Sequence, residues 1–128
     1  MAEAVLVDAD VNAGLELVKL LDESQFNVKS AAWIYYPERE EWKLLIATPR
    51  AAQDLSAAYY DVVTVLRRNK DLDDRFDSTR IRVVRPDEPS LEALSRLVKA
   101  DGLQKLRYTH NAIDGYYIDD ALIYRLAA

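Results

Sequence analysis

"NVKSAAWIYYPEREEWKLLIATP", residues 27–49, decides the fold. In its first half Val28, Ser30, Ala32 and Ile34 alternate with Lys29, Ala31, Trp33 and Tyr35. In its second half Trp42, Leu44 and Ile46 alternate with Lys43, Leu45 and Ala47. Successive side chains of a strand point to opposite faces, so both faces of this segment are largely apolar. The polar PEREE between the halves predicts the connection of an antiparallel hairpin. Strands apolar on both faces belong in the middle of a sheet. They are covered on both sides, or on one side by the same chain and on the other by a partner.

Working outward, residues 3–23 predict one amphipathic helix, because Val7, Val11, Gly14, Val18 and Leu21 fall on one helical stripe. Gly14 costs that helix about 1 kcal/mol against alanine, a cost offset if the helix approaches a sheet or another helix closely. The competing reading makes residues 4–7 a short strand and Asp10 the cap of a shorter helix. After the hairpin, Thr48 as N-cap and Pro49 at the first helical position start a second helix. Leu55, Tyr59, Val62 and Leu66 form its inner stripe, and Arg67, Arg68 and Lys70 suit its negative end. A charged loop, residues 71–79, leads to a strand over residues 80–85. Ser90 then caps a short helix with Leu91, Leu94 and Val98 inward, and Gly102 ends it. A second hairpin runs from Leu103 to Thr109, turns through HNAIDG, and returns from Tyr116 to Leu126. The order α-β-β-α-β-α-β-β predicts an α+β two-layer sandwich, a mostly antiparallel sheet of about five strands with helices on one face.

At 128 residues, 50% hydrophobic and 30% charged, the chain suits a single globular domain over residues 1–128 with a substantial core. The absence of cysteine excludes disulfides, thiolate zinc sites and cysteine nucleophiles. A net charge of −5 argues against nucleic acid as a general partner. The acidic, interrupted N-terminal segment does not resemble a signal peptide, and no stretch approaches a membrane span. A cytoplasmic protein without a cofactor is the expectation. Neither a phosphate-cradling glycine loop nor a serine elbow occurs.

Chemistry, if present, lies in the last quarter. On the predicted final strand Asp120 shares the apolar face of Tyr116, Ile118, Leu122, Tyr124 and Leu126. Asp119 shares the other face. An unpaired acid on the core side costs several kcal/mol, so Asp120 calls for a bulge nearby or a salt bridge to an arginine such as Arg107. Alternatively Asp119 and Asp120 act with His110, the only histidine, as catalytic groups. His110, Asp114 and Asp119 are then the candidate metal ligands. The acidic loop with Asp71, Asp73, Asp74 and Asp77 lacks the glycine and terminal glutamate of a calcium loop, and reads as solvated. Arg80, Arg82 and Arg85 form a row fit to read phosphate or to guard an edge strand.

Three tyrosine doublets each place a large amphipathic ring outside the core. Trp33, Tyr35, Tyr60 and Tyr117 are the candidate interface residues, since Trp and Tyr are favoured where a surface becomes an interface. The sequence therefore predicts a non-enzymatic protein-interaction module that binds a protein partner or itself as a homo-oligomer through an aromatic sheet face. The alternative is a small divalent-metal-dependent hydrolase or nuclease built on the C-terminal hairpin. A pocket for a small ligand between helices and sheet is a third class.

Overall fold

The expected antiparallel hairpin forms. Strands β1 (Ser30–Tyr36) and β2 (Glu41–Ala47) pair antiparallel, from Ser30 opposite Ala47 to Tyr36 opposite Glu41. The computed structural model of the chain describes residues 5–100, 102–113 and 116–126. Around the hairpin lie α1 (Asp8–Glu23), α2 (Arg50–Gln53), α3 (Leu55–Arg68), α4 (Lys70–Arg75), β3 (Ile81–Val84), α5 (Pro89–Leu97), β4 (Leu106–Ile113) and β5 (Tyr116–Arg125). The sheet order is β3-β2-β1-β5-β4. Only β3, beside β2, pairs in parallel, because the connection through α2, α3 and α4 is long enough to return the chain in the same direction. The fold is thus α+β on a five-stranded, mostly antiparallel sheet, in the expected order.

Both faces of the sheet are buried, as the two-faced strands require. Ala31, Trp33 and Tyr35 of β1, with Trp42, Leu44 and Ile46 of β2, pack against Leu17, Val18 and Leu21 of α1 and Val62 and Leu66 of α3. Ala32, Ile34, Leu45, Ala47, Ala121 and Ile123 form a second cluster with Leu91, Ala93 and Leu94 of α5. Helices therefore flank the sheet on both sides, which corrects the expectation of one helical face. The strands' alternation demanded a cover on each face, and α5 supplies the second.

Several boundaries also differ from the sequence reading, each for a local reason. Residues 5–7 are neither helix nor strand, and α1 starts at Asp8. The helix after Thr48 breaks at Asp54, whose extended backbone (φ −158°, ψ 99°) lets its carboxylate accept the Ala57 amide at 3.1 Å and start α3 afresh. That restart turns Leu55 outward and brings Ala58 and Val65 in. The acidic loop contains α4, held by buried Leu72 and followed by buried Phe76. Asp77 then caps the following 3-10 turn (Ser78–Arg80) by accepting the Thr79 amide at 2.9 Å. Glu88 rather than Ser90 caps α5, accepting the Ser90 amide at 2.9 Å with Pro89 in the first turn. That helix ends at Leu97, short of Gly102. Strand β4 extends through Ile113, so residues 110–113 of the expected turn are strand.

One contact fixes α1 against the sheet. Trp33 Nε1 donates to Tyr124 Oη at 2.8 Å, and Tyr124 Oη donates to the Val11 carbonyl at 2.5 Å. Gly14 lies directly over this pair. A Cβ there would stand 2.5 Å from Tyr124 Oη and 2.8 Å from Trp33 Nε1. Close approach is thus the return for a glycine inside a helix. Tyr124 faces α1 by ordinary alternation with Leu122, but the β1–β5 register is irregular beside it: Ala32 pairs with Ile123 and Ala31 with Arg125, leaving one extra residue in β5. As a result Tyr124 and Arg125 both face α1, where Arg125 NH2 pairs with Asp22 at 2.9 Å. Leu126 is flipped to the α5 side.

Two outcomes follow from this contact. Gly14→Ala gains helix propensity of about 1 kcal/mol but overpacks a closed site at roughly 1–3 kcal/mol. The substitution should therefore lower the thermal midpoint by several degrees, where an ordinary helical glycine would gain stability. Burial raises the pKa of Tyr124 well above its ordinary value of 10.0. A raised pKa in the folded state gives stability that is intact below pH 10 and falls as the unfolded tyrosine ionises above it. Chemical denaturation between pH 10 and 12 should show wild type losing about 1.4 kcal/mol per pH unit more than Tyr124→Phe.

Candidate functional site

Asp120 finds the arginine that its position required. Arg107 Nε donates to Asp120 Oδ1 at 2.6 Å and Arg107 NH2 to Oδ2 at 2.5 Å, a two-pronged pair across β4 and β5. The same guanidinium lies 5.3 Å from the centre of the Trp42 ring, and the Asp120 carboxylate holds the Arg107 pKa above its ordinary value. Among the described residues no group of three or more His, Asp or Glu side chains is placed to hold a metal. Asp119 is half-buried and is not free of partners. The side chains of His110, Asp114 and Tyr117 lie outside the described residues.

The predicted interface aromatics do not share one exposed sheet face. Trp33 is fully buried beneath α1, with Phe76 at 5.8 Å between ring centres and the Arg80 guanidinium 4.6 Å over its ring. Tyr35 is buried against Trp42 at 5.4 Å. Both rings are covered by the chain's own helices, and neither offers surface to a partner. Tyr60 on α3 is exposed, at 72%.

The arginine row is also dispersed. Arg80 sits in the 3-10 turn and pairs with Asp10 at 3.1 Å, Arg82 approaches Glu88 at 3.5 Å, and Arg85 pairs with Asp87 at 3.2 Å. Strand β3 is an edge of the sheet, and its charges suit the guarding of that edge.

Arg82 nevertheless occupies a distinctive place. Clefts of about 420, 310 and 510 Å³ all include it in their walls. The first lies between the end of β1, the start of α5 and Ile118, with Ile34, Pro37 and Pro89 as apolar lining. Across it Arg82 NH1 donates to Tyr36 Oη at 3.1 Å, while Glu88 also accepts the Ser90 hydroxyl at 2.7 Å. Burial raises the Tyr36 pKa, with the neighbouring Arg82 charge opposing the shift, so Tyr36 is neutral at ordinary pH. The sequence reading singled out Arg82 in its arginine row but not Tyr36 or Glu88 as its neighbours. The signals for those two were the second ring of the Tyr35–Tyr36 doublet and an acid immediately before Pro89.

Compared with known protein families, curated proteins and solved structures, the chain matches none. No helix among the described residues is long and apolar enough to cross a membrane.

The Arg107–Asp120 pair is half open to solvent on the arginine side, with side-chain exposures of 50% and 20%. Asp120→Asn should therefore cost only about 1 kcal/mol, measured by denaturant titration. The cost should shrink at high salt, where the exposed part of the pair is screened.

Proposed function

We propose that the chain is a non-enzymatic interaction module that associates with a second copy of itself. The surface used is the outer edge of β4 rather than the sheet face that Trp33 occupies. The observation that carries this reading is the inequality of the two sheet edges. Strand β3 is four residues long, bears Arg82, and is followed by Arg85 and Pro86. Strand β4 is eight residues long, holds one register against β5 throughout, and contains no proline. A long edge strand presents a row of backbone donors and acceptors to another strand. Antiparallel pairing of β4 with its own copy is compatible with a two-fold axis.

The side chains support the same surface. Arg107 is neutralised within the chain by Asp120, so two copies meet without an uncompensated charge from it. Leu106 and Tyr108 are half-buried against the α5-side cluster. The Tyr108 hydroxyl is shielded from water with no hydrogen-bond partner among the described residues, a deficit of about 1–3 kcal/mol.

Light scattering across a dilution series should give twice the chain mass at high micromolar concentration. Tyr108→Lys, with an unchanged circular dichroism spectrum, should weaken association at least tenfold. A strict monomer at high micromolar concentration would overturn the reading.

A further inference from the structure

We propose that the clefts meeting at Arg82 form a binding site for a small zwitterion, an α-amino acid with an apolar side chain. The two clefts on the α5 side share Tyr36, Glu38 and Arg82 in their walls. The one against α5 sets a single cation, Arg82, against two carboxylates, Glu38 and Glu88, over an apolar lining of Ile34, Ile118 and Pro89. Its neighbour sets three cations, Arg39, Lys43 and Arg82, against Glu38 and Glu41. The charge thus changes sign across Arg82, and the apolar surface lies on the acidic side.

A ligand complementary to this arrangement carries a carboxylate, an ammonium and an apolar group a few bonds apart. Its carboxylate lies at Arg82, its ammonium faces Glu38, and its side chain enters the lining of Ile34 and Ile118. Arg82 can take such a ligand. Its bond to Tyr36 and its loose 3.5 Å approach to Glu88 leave donors of the five-donor guanidinium fork for a carboxylate. The guanidinium is 46% exposed on its side chain and so reachable, while Glu88, at 14%, is held in place by the Ser90 amide and hydroxyl. A volume of about 420 Å³ lies within the usual range of small-molecule sites. The neutral Tyr36 hydroxyl adds a group that can donate to the carboxylate.

The test is an NMR titration of the full chain with L-leucine and L-phenylalanine, beside N-acetyl-L-leucine and L-leucinamide. Shifts at Ile34, Tyr36 and Ile118 that saturate with the free amino acids are expected, with at least tenfold weaker binding of both blocked forms. Arg82→Gln should weaken leucine binding at least tenfold. Glu38→Gln, at an exposed turn position, should do so by a smaller factor, and keeps the test decisive should Arg82→Gln fold poorly. Absence of any shift at these residues up to the solubility limit of the amino acids would overturn the proposal. So would N-acetyl-L-leucine binding as tightly as leucine, which would mark a plain carboxylate site.

Discussion

The structure depends on a short buried hydrogen-bond chain, from the Trp33 indole through the Tyr124 hydroxyl to the Val11 carbonyl. It links the central strand, the strand beside it and the helix that covers both. Each member needs the others. An indole N–H or a phenol buried without a partner costs about 1–3 kcal/mol, against about 0.5–1.5 kcal/mol gained from a typical hydrogen bond. The helix can come low enough to meet the phenol only where it carries no Cβ. Gly14 is thus a requirement of the contact, and ordinary alternation with Leu122 aims the phenol at it, just before an irregularity in the β1–β5 register. The same irregularity turns Leu126 to the α5 side, and its amide bonds the Ala100 carbonyl at 2.7 Å.

Much of this was legible in the sequence. The alternation of residues 28–47 implied a central hairpin apolar on both sides, and Gly14 in an apolar stripe implied a close approach. Asp120 among apolar neighbours implied a base, and Arg107 was within reach across the hairpin. These inferences share one feature: each arises from a local conflict, and burial rules allow only a few resolutions of it. The side of the sheet taken by α5 involves no such conflict. Leu91 and Leu94 declare an apolar stripe but not which face it meets. The break at Asp54 was hidden because Thr48 and Pro49 gave a complete start signal upstream, and the side-chain cap at Asp54 is equally good.

The Arg82 cluster was beyond the sequence for a different reason. Tyr36, Arg82 and Glu88 come from three segments, and they meet only because β3 lies parallel to β2 and Glu88 swings back as the cap of α5. A single strand's pattern carries no information about a parallel neighbour reached through three helices. The aromatic doublets misled for a related reason. Alternation placed one ring of each strand doublet on each face, yet the chain had enough helices to cover both faces, so Trp33 and Tyr35 became core. The surface proposed for association is therefore an edge, β4, and not a face.

Hydrogen exchange at the β4 amides, followed as a function of protein concentration, tests the self-association account most directly. Outward-facing amides of residues 106–113 should gain protection as concentration rises from low to high micromolar, while those of the central strand β1 stay unchanged. Equal exchange rates in β4 at every concentration would contradict the account and leave that edge unpaired.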